Sequence, residues 1–163
     1  MLYIITWWLA LQLIGLAALP LAFRLLGRLP DRGYAFARPL GLLLTGYLFW
    51  LGASLGLLRN QWGGILCALL LVAGLSWLAY RRWPGRDELR LLPWLREHLG
   101  LVLTVEVIFF LAFVGWAWFR GFSPDLMTAG GEKFMEIAFI NAILRSEAFP
   151  PLDPWLSGLG ISY

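Results

Sequence analysis

The chain has 163 residues, of which 60% are hydrophobic and 14% charged, with a mean hydropathy of +0.73. A soluble domain carries about a quarter charged residues and about half apolar ones, so this balance excludes a soluble enzyme, a disordered chain and a disulfide-stapled secreted module. A lone cysteine (Cys67) and a lone histidine (His98) exclude an internal disulfide and metal sites built on Cys pairs or several His. The net charge of +3 comes from basic residues scattered between apolar runs, whereas nucleic acid requires a continuous patch, so no nucleic-acid partner is expected. The remaining class is an integral membrane protein, with the lipid bilayer as its first partner.

Crossing a bilayer takes roughly 20 apolar residues in a helix, because every backbone group must be satisfied internally. In chain order the predicted spans are Met1–Phe23, Leu40–Leu58, Trp62–Tyr80 and Leu99–Phe119. Met1–Phe23 is too long for a signal-peptide core and has no basic region ahead of it, so it reads as an uncleaved helix. Arg24, Arg28, Arg32 and Arg38 follow the first span, and Arg81, Arg82, Arg86, Arg90 and Arg96 follow the third. The short loop near Asn60 has Arg59 alone, and the tail dilutes Arg120, Lys133 and Arg145 over more than forty residues. The positive-inside rule then puts both arginine-rich loops in the cytoplasm and the N-terminus and tail outside a multi-pass cytoplasmic membrane protein.

Within the first loop, Pro30-Asp31-Arg32-Gly33 predicts a turn. Arg86–His98 predicts a short interfacial helix, interrupted at Pro93, with arginines toward anionic headgroups. Glu106 is the one ionisable residue inside the fourth span, expensive in lipid and therefore expected to have a protein partner: Thr104, Asn60 or a residue missing from this chain. Cys67 reads as a small core residue and His98 as an interfacial one.

The tail, Arg120 to Tyr163, carries the remaining chemistry. Ser123-Pro124-Asp125 can start a helical turn, Gly130-Gly131 interrupts it, and a helix is predicted from Glu132 to about Glu147, closed by Pro150-Pro151. Glu132 and Glu136 fall about 40° apart on this helix, with Asn141 and Arg145 on roughly the opposite side. Apolar residues fill nearly every other direction, which predicts an enclosed helix with its carboxylates in a local polar pocket. Such carboxylates can deprotonate a hydroxyl, or Glu132 can coordinate a hard divalent cation with Asp153. The plainer alternative is a first-turn acid complementing the helix dipole, with Glu136 paired to Lys133.

Several stretches together resemble one family. They are Gly131-Glu132-Lys133-Phe134-Met135-Glu136, Phe139-Ile140-Asn141-Ala142-Ile143-Leu144-Arg145-Ser146, Phe149-Pro150-Pro151 and Asp153-Pro154-Trp155-Leu156-Ser157-Gly158. The family is the "YYY" membrane proteins, a domain of unknown function with a triple tyrosine, whose pattern reads E-K-P-M-D, F-L-N-A-I-L-R-S, F-P-P-x-D-P-W-L-A-G and I-N-Y-Y-Y. Leu29 to Tyr34, Arg38 to Gly41 and Glu106 fit it as well, so the resemblance covers essentially the whole chain. Phe134 stands where the pattern has Pro and Glu136 where it has Asp. The chain ends at Tyr163, where the family continues into further spans, so the resemblance implies the N-terminal portion of a longer protein.

That family is in turn similar to GT-C-type membrane glycosyltransferases, which take sugars from polyprenyl-phosphate carriers. The resemblance implies Glu132 as catalytic base, with Glu136 as the alternative or as an orienting group beside Asp153. It implies Lys133 or Arg145 at the donor phosphate, and a divalent cation (Mg or Mn) held by Glu132 and Asp153. Its partners would be a lipid-linked sugar donor and the remaining transmembrane helices, and the fragment alone would be inactive. The rival expectation is a non-enzymatic assembly or transport subunit with structural acids. Either way the expected fold is an all-α polytopic transmembrane bundle of four spans in residues 1–119. An extracytoplasmic loop and juxtamembrane helix would follow in residues 120–163.

Overall fold

The computed structural model describes residues 2–82, 90–122, 133–156 and 158–161, the side chains of Leu2 and Lys133 aside. These residues form helices α1 (Leu2–Leu25), α2 (Ala37–Ser54), α3 (Trp62–Arg82), α4 (Leu91–Glu97), α5 (Leu99–Gly121) and α6 (Lys133–Arg145). There is no sheet among the described residues, and an isolated antiparallel bridge joins Leu152 to Gly160. The protein is all-α.

Among the described residues three helices are long and apolar enough to cross a membrane: Tyr3–Leu25, Trp62–Arg82 and Leu99–Gly121. The helix at the expected fourth span, Leu40–Leu58, is shorter and less apolar than these three. This helix, α2, opens on Arg38 and Pro39, carries Thr45 and Tyr47, and stops at Ser54. Those polar residues thin its apolar run. The stop is a Schellman cap: Gly56 takes φ +73°, its N–H donates to the Ala53 carbonyl at 3.1 Å, and the Leu57 N–H donates back to Gly52 at 2.8 Å. Glycine adopts that left-handed conformation without a Cβ penalty.

Two compact units interleave along the chain: Met1–Thr45 with Leu69–Phe122 (unit 1), and Gly46–Ala68 with Ser123–Tyr163 (unit 2). The core of unit 1 collects Leu19, Ala22, Phe23, Ala37, Leu91 and Trp94. Phe23 lies edge-on to Tyr80 (6.3 Å) and to Trp94 (5.6 Å), pairs worth about 0.5–1.5 kcal/mol each beyond the area they bury. These rings join the ends of α1 and α3 to α4, and the Leu91 N–H donates to the Tyr80 hydroxyl at 2.9 Å. Pro93 falls in the first turn of α4, where a missing N–H costs nothing, so it does not interrupt the helix as expected. Residues 86–89 of the predicted interfacial helix lie outside the described residues. His98 stacks on Trp94 at 4.6 Å.

Close backbone approach shapes the α1–α2 crossing. A Cβ on Gly41 would stand 2.3 Å from the Ile14 carbonyl oxygen, and one on Gly15 would stand 2.7 Å from Arg38 Cγ. Farther along α1, Pro20 sits inside the helix and disrupts its ladder, and the next amide, Leu21 N–H, donates to the buried Ser76 hydroxyl of α3 at 3.0 Å. A neighbouring hydroxyl commonly re-satisfies backbone freed by proline inside a membrane. Ser76→Ala is therefore expected to lower stability by about 1–3 kcal/mol, the cost of an orphaned buried amide. Thermal unfolding of the solubilised protein checks this, and a midpoint equal to wild type would contradict it.

In unit 2, Asn60 closes the C-terminus of α6. Its Nδ2 donates to the carbonyls of Ile143 and Ser146, and its backbone N–H donates to Glu147 at 3.0 Å. Phe49 meets Phe149 edge-on at 5.9 Å, and Phe139 meets Trp155 at 5.2 Å. With 13 residues, α6 is about 20 Å long, too short to cross a bilayer. It is not enclosed as expected: Phe134, Met135, Ile140 and Leu144 are all exposed. Cys67 is likewise exposed on α3, not a core residue.

Candidate functional site

Glu106 has partners that differ from those expected. Gln12 Nε2 donates to its Oε2 and the Tyr34 hydroxyl to its Oε1, both at 2.7 Å, and Arg38 Nη2 forms an ion pair with the same Oε1. Gln12 Oε1 accepts from Arg38 Nε at 2.7 Å, and the Arg38 guanidinium lies 4.2 Å from the Phe109 ring centroid. Thr104 turns back on its own helix to the Gly100 carbonyl, and Asn60 serves α6. Both carboxylate oxygens are thus occupied, and α1, α2 and α5 are tied by one polar knot. Burial first, then the bond to Glu106 and that residue's negative charge, push the Tyr34 hydroxyl above its ordinary range despite nearby Arg38. It therefore stays protonated and donating throughout the physiological range. A cavity of about 450 Å³ opens beside the knot, walled by Trp8, Leu9, Leu13 and Leu16.

The tail residues distribute differently. Glu132 lies outside the described residues, as does the Ser123–Asp125 turn, and nothing is described of the Lys133 side chain. Arg145 and Asp153 line one cavity of about 770 Å³ with Asn141, Ser146 and Glu147. Glu136 is exposed and does not line it. Nine residues before Arg145, Glu136 projects about 180° away around the helix.

Asp153 is 7% exposed, and its Oδ1 accepts from the backbone N–H groups of Trp155 (2.8 Å) and Leu156 (3.0 Å). It is a turn cap. This bears on the expected Mg or Mn ion at Glu132 and Asp153, which is corrected: among the described residues no group of three or more His, Cys, Asp or Glu could hold a metal. The Asp153 carboxylate is oriented by backbone donors. Asp153→Ala should cost about 1–2 kcal/mol, in the range of a lost cap, with Asp153→Asn milder because one acceptor oxygen survives. Limited proteolysis near Trp155 would report the loosened turn, and equal cleavage of the two variants would contradict the cap.

Sequence reasoning missed Gln12, Tyr34 and Arg38. A glutamine inside an apolar helix and an arginine at the start of another were the available signals, each the hydrogen-bonding complement of a carboxylate. Comparison with known proteins found a match over residues 44–163 to the model of a family described as an uncharacterized membrane protein, DUF2298. No curated protein and no solved structure matches, so the expected likeness to GT-C-type glycosyltransferases has no support there.

Proposed function

Because this chain belongs to the DUF2298 family of membrane proteins, we propose that it is a non-enzymatic assembly or transport subunit whose acidic residues are structural. The observation that carries this reading is the Glu106 knot. An acid within a span is by default a functional group, but here three donors occupy its carboxylate. The exposed apolar side chains of α6, on a helix too short to span, suit a surface that further protein or the membrane interface covers.

The cavity shared by Arg145 and Asp153 favours a second reading, sugar transfer from a polyprenyl-phosphate donor on the extracytoplasmic side. There Glu132 would be the base, Glu136 would orient the acceptor, and Lys133 and Arg145 would meet the donor phosphate. The two readings separate in proteoliposomes supplied with polyprenyl-phosphate sugars and a hydroxyl acceptor. The structural reading expects no transfer by the wild type, and a lowered folded yield in Glu132→Gln and Glu136→Gln. Wild-type transfer that Glu132→Gln abolishes at unchanged yield would overturn it.

A further inference from the structure

Where α1, α3 and α4 converge, two guanidinium groups flank one aromatic cluster. Arg24 lies 4.7 Å from the Tyr80 ring centroid and Arg32 lies 5.1 Å from that of Phe23, while the two rings meet edge-on. Stacking on ring faces holds each guanidinium in place and leaves its in-plane donors free. Arg32 Nη1 comes to 4.0 Å from where a Cβ on Gly27 would stand, so it lies close to the end of α1 that bears Arg24. Arg24 Nε is buried with no hydrogen-bond partner among the described residues, which leaves a desolvated cationic donor unanswered.

The acid in the same loop does not answer it. Asp31 oxygens accept from the Gly33 and Ala35 amides. Arg81 and Arg82 add charge at the end of α3, and Leu25 and Leu29 stand exposed beside the pair of arginines. Donors for an anion next to uncovered apolar side chains match a molecule that is itself anionic at one end and apolar at the other.

We propose that this end of unit 1 binds an anionic phospholipid, its headgroup phosphate between Arg24 and Arg32 and its acyl chains along Leu25 and Leu29. Bidentate arginine donors suit phosphate oxygens, and basic residues near a membrane surface each contribute about a fivefold preference for anionic lipid. The site is independent of the tail chemistry, and its test does not depend on any activity.

The full chain is reconstituted in nanodiscs of phosphatidylcholine with or without phosphatidylglycerol, and retained lipid is read by native mass spectrometry after transfer to detergent. Wild type should retain phosphatidylglycerol at least about tenfold over phosphatidylcholine, given two such arginines. Arg24→Gln/Arg32→Gln should lose that preference, while Arg59→Gln, distant in the chain, should keep it. Because Arg24 and Arg32 also cover rings, Arg24→Lys/Arg32→Lys serves as the folding-safe variant, expected to keep a reduced preference through its charge. Equal retention of both lipids by wild type would overturn the proposal, as would a preference that survives the double glutamine change. Displacement of the lipid by millimolar inorganic phosphate would instead assign a free-anion site.

Discussion

Glu106→Ala should destabilise the folded protein by about 3–5 kcal/mol, because removing one partner of a buried ion pair strands the other. Glu106 and Arg38 side chains are 25% and 9% exposed, so the stranded guanidinium would sit in a largely closed site with Gln12 as its remaining polar neighbour. Arg38→Met should cost less, since Gln12 and Tyr34 still donate to the carboxylate. The double variant Glu106→Ala/Arg38→Met should be more stable than Glu106→Ala, because neither charge is left alone. Thermal midpoints of the four proteins in one detergent close the cycle. If the two single losses simply add in the double variant, Glu106 and Arg38 do not act as one tie.

Gly41→Ala should be the next most damaging change, at about 1–3 kcal/mol or more for forced overpacking. The added methyl group would meet backbone, the Ile14 carbonyl oxygen at 2.3 Å and its carbon at 2.9 Å, and backbone cannot swing aside as a flexible side chain does. The helices α1 and α2 would have to separate, and that shift would also pull Arg38 from Gln12 and Glu106. Small residues at helix crossings allow this kind of approach inside membranes. Gly46→Ala supplies the comparison: the same helix, nothing within 4 Å of the new Cβ, and a gain of up to about 1 kcal/mol from helix propensity. Comparable losses at both positions would show that α2 is sensitive to any added methyl and not to this crossing.

Membrane class, all-α architecture and three of the spans were legible in the residues themselves, because length and hydropathy are local properties that a bilayer reads directly. The end of α6 was legible too, since Pro150-Pro151 cannot continue a helix, and so was the turn at Asp31. Tertiary structure decided the rest. The partners of Glu106 come from positions 94, 72 and 68 residues away in the chain, and no periodicity links them. Asp153 looked like a ligand because a free carboxylate is one, and only the fold of its loop aimed two amides at it. The end of α2 was hidden for a similar reason: Gly56 and the Leu57 amide turn the chain back before the apolar run ends, a cap set by backbone geometry that hydropathy does not register.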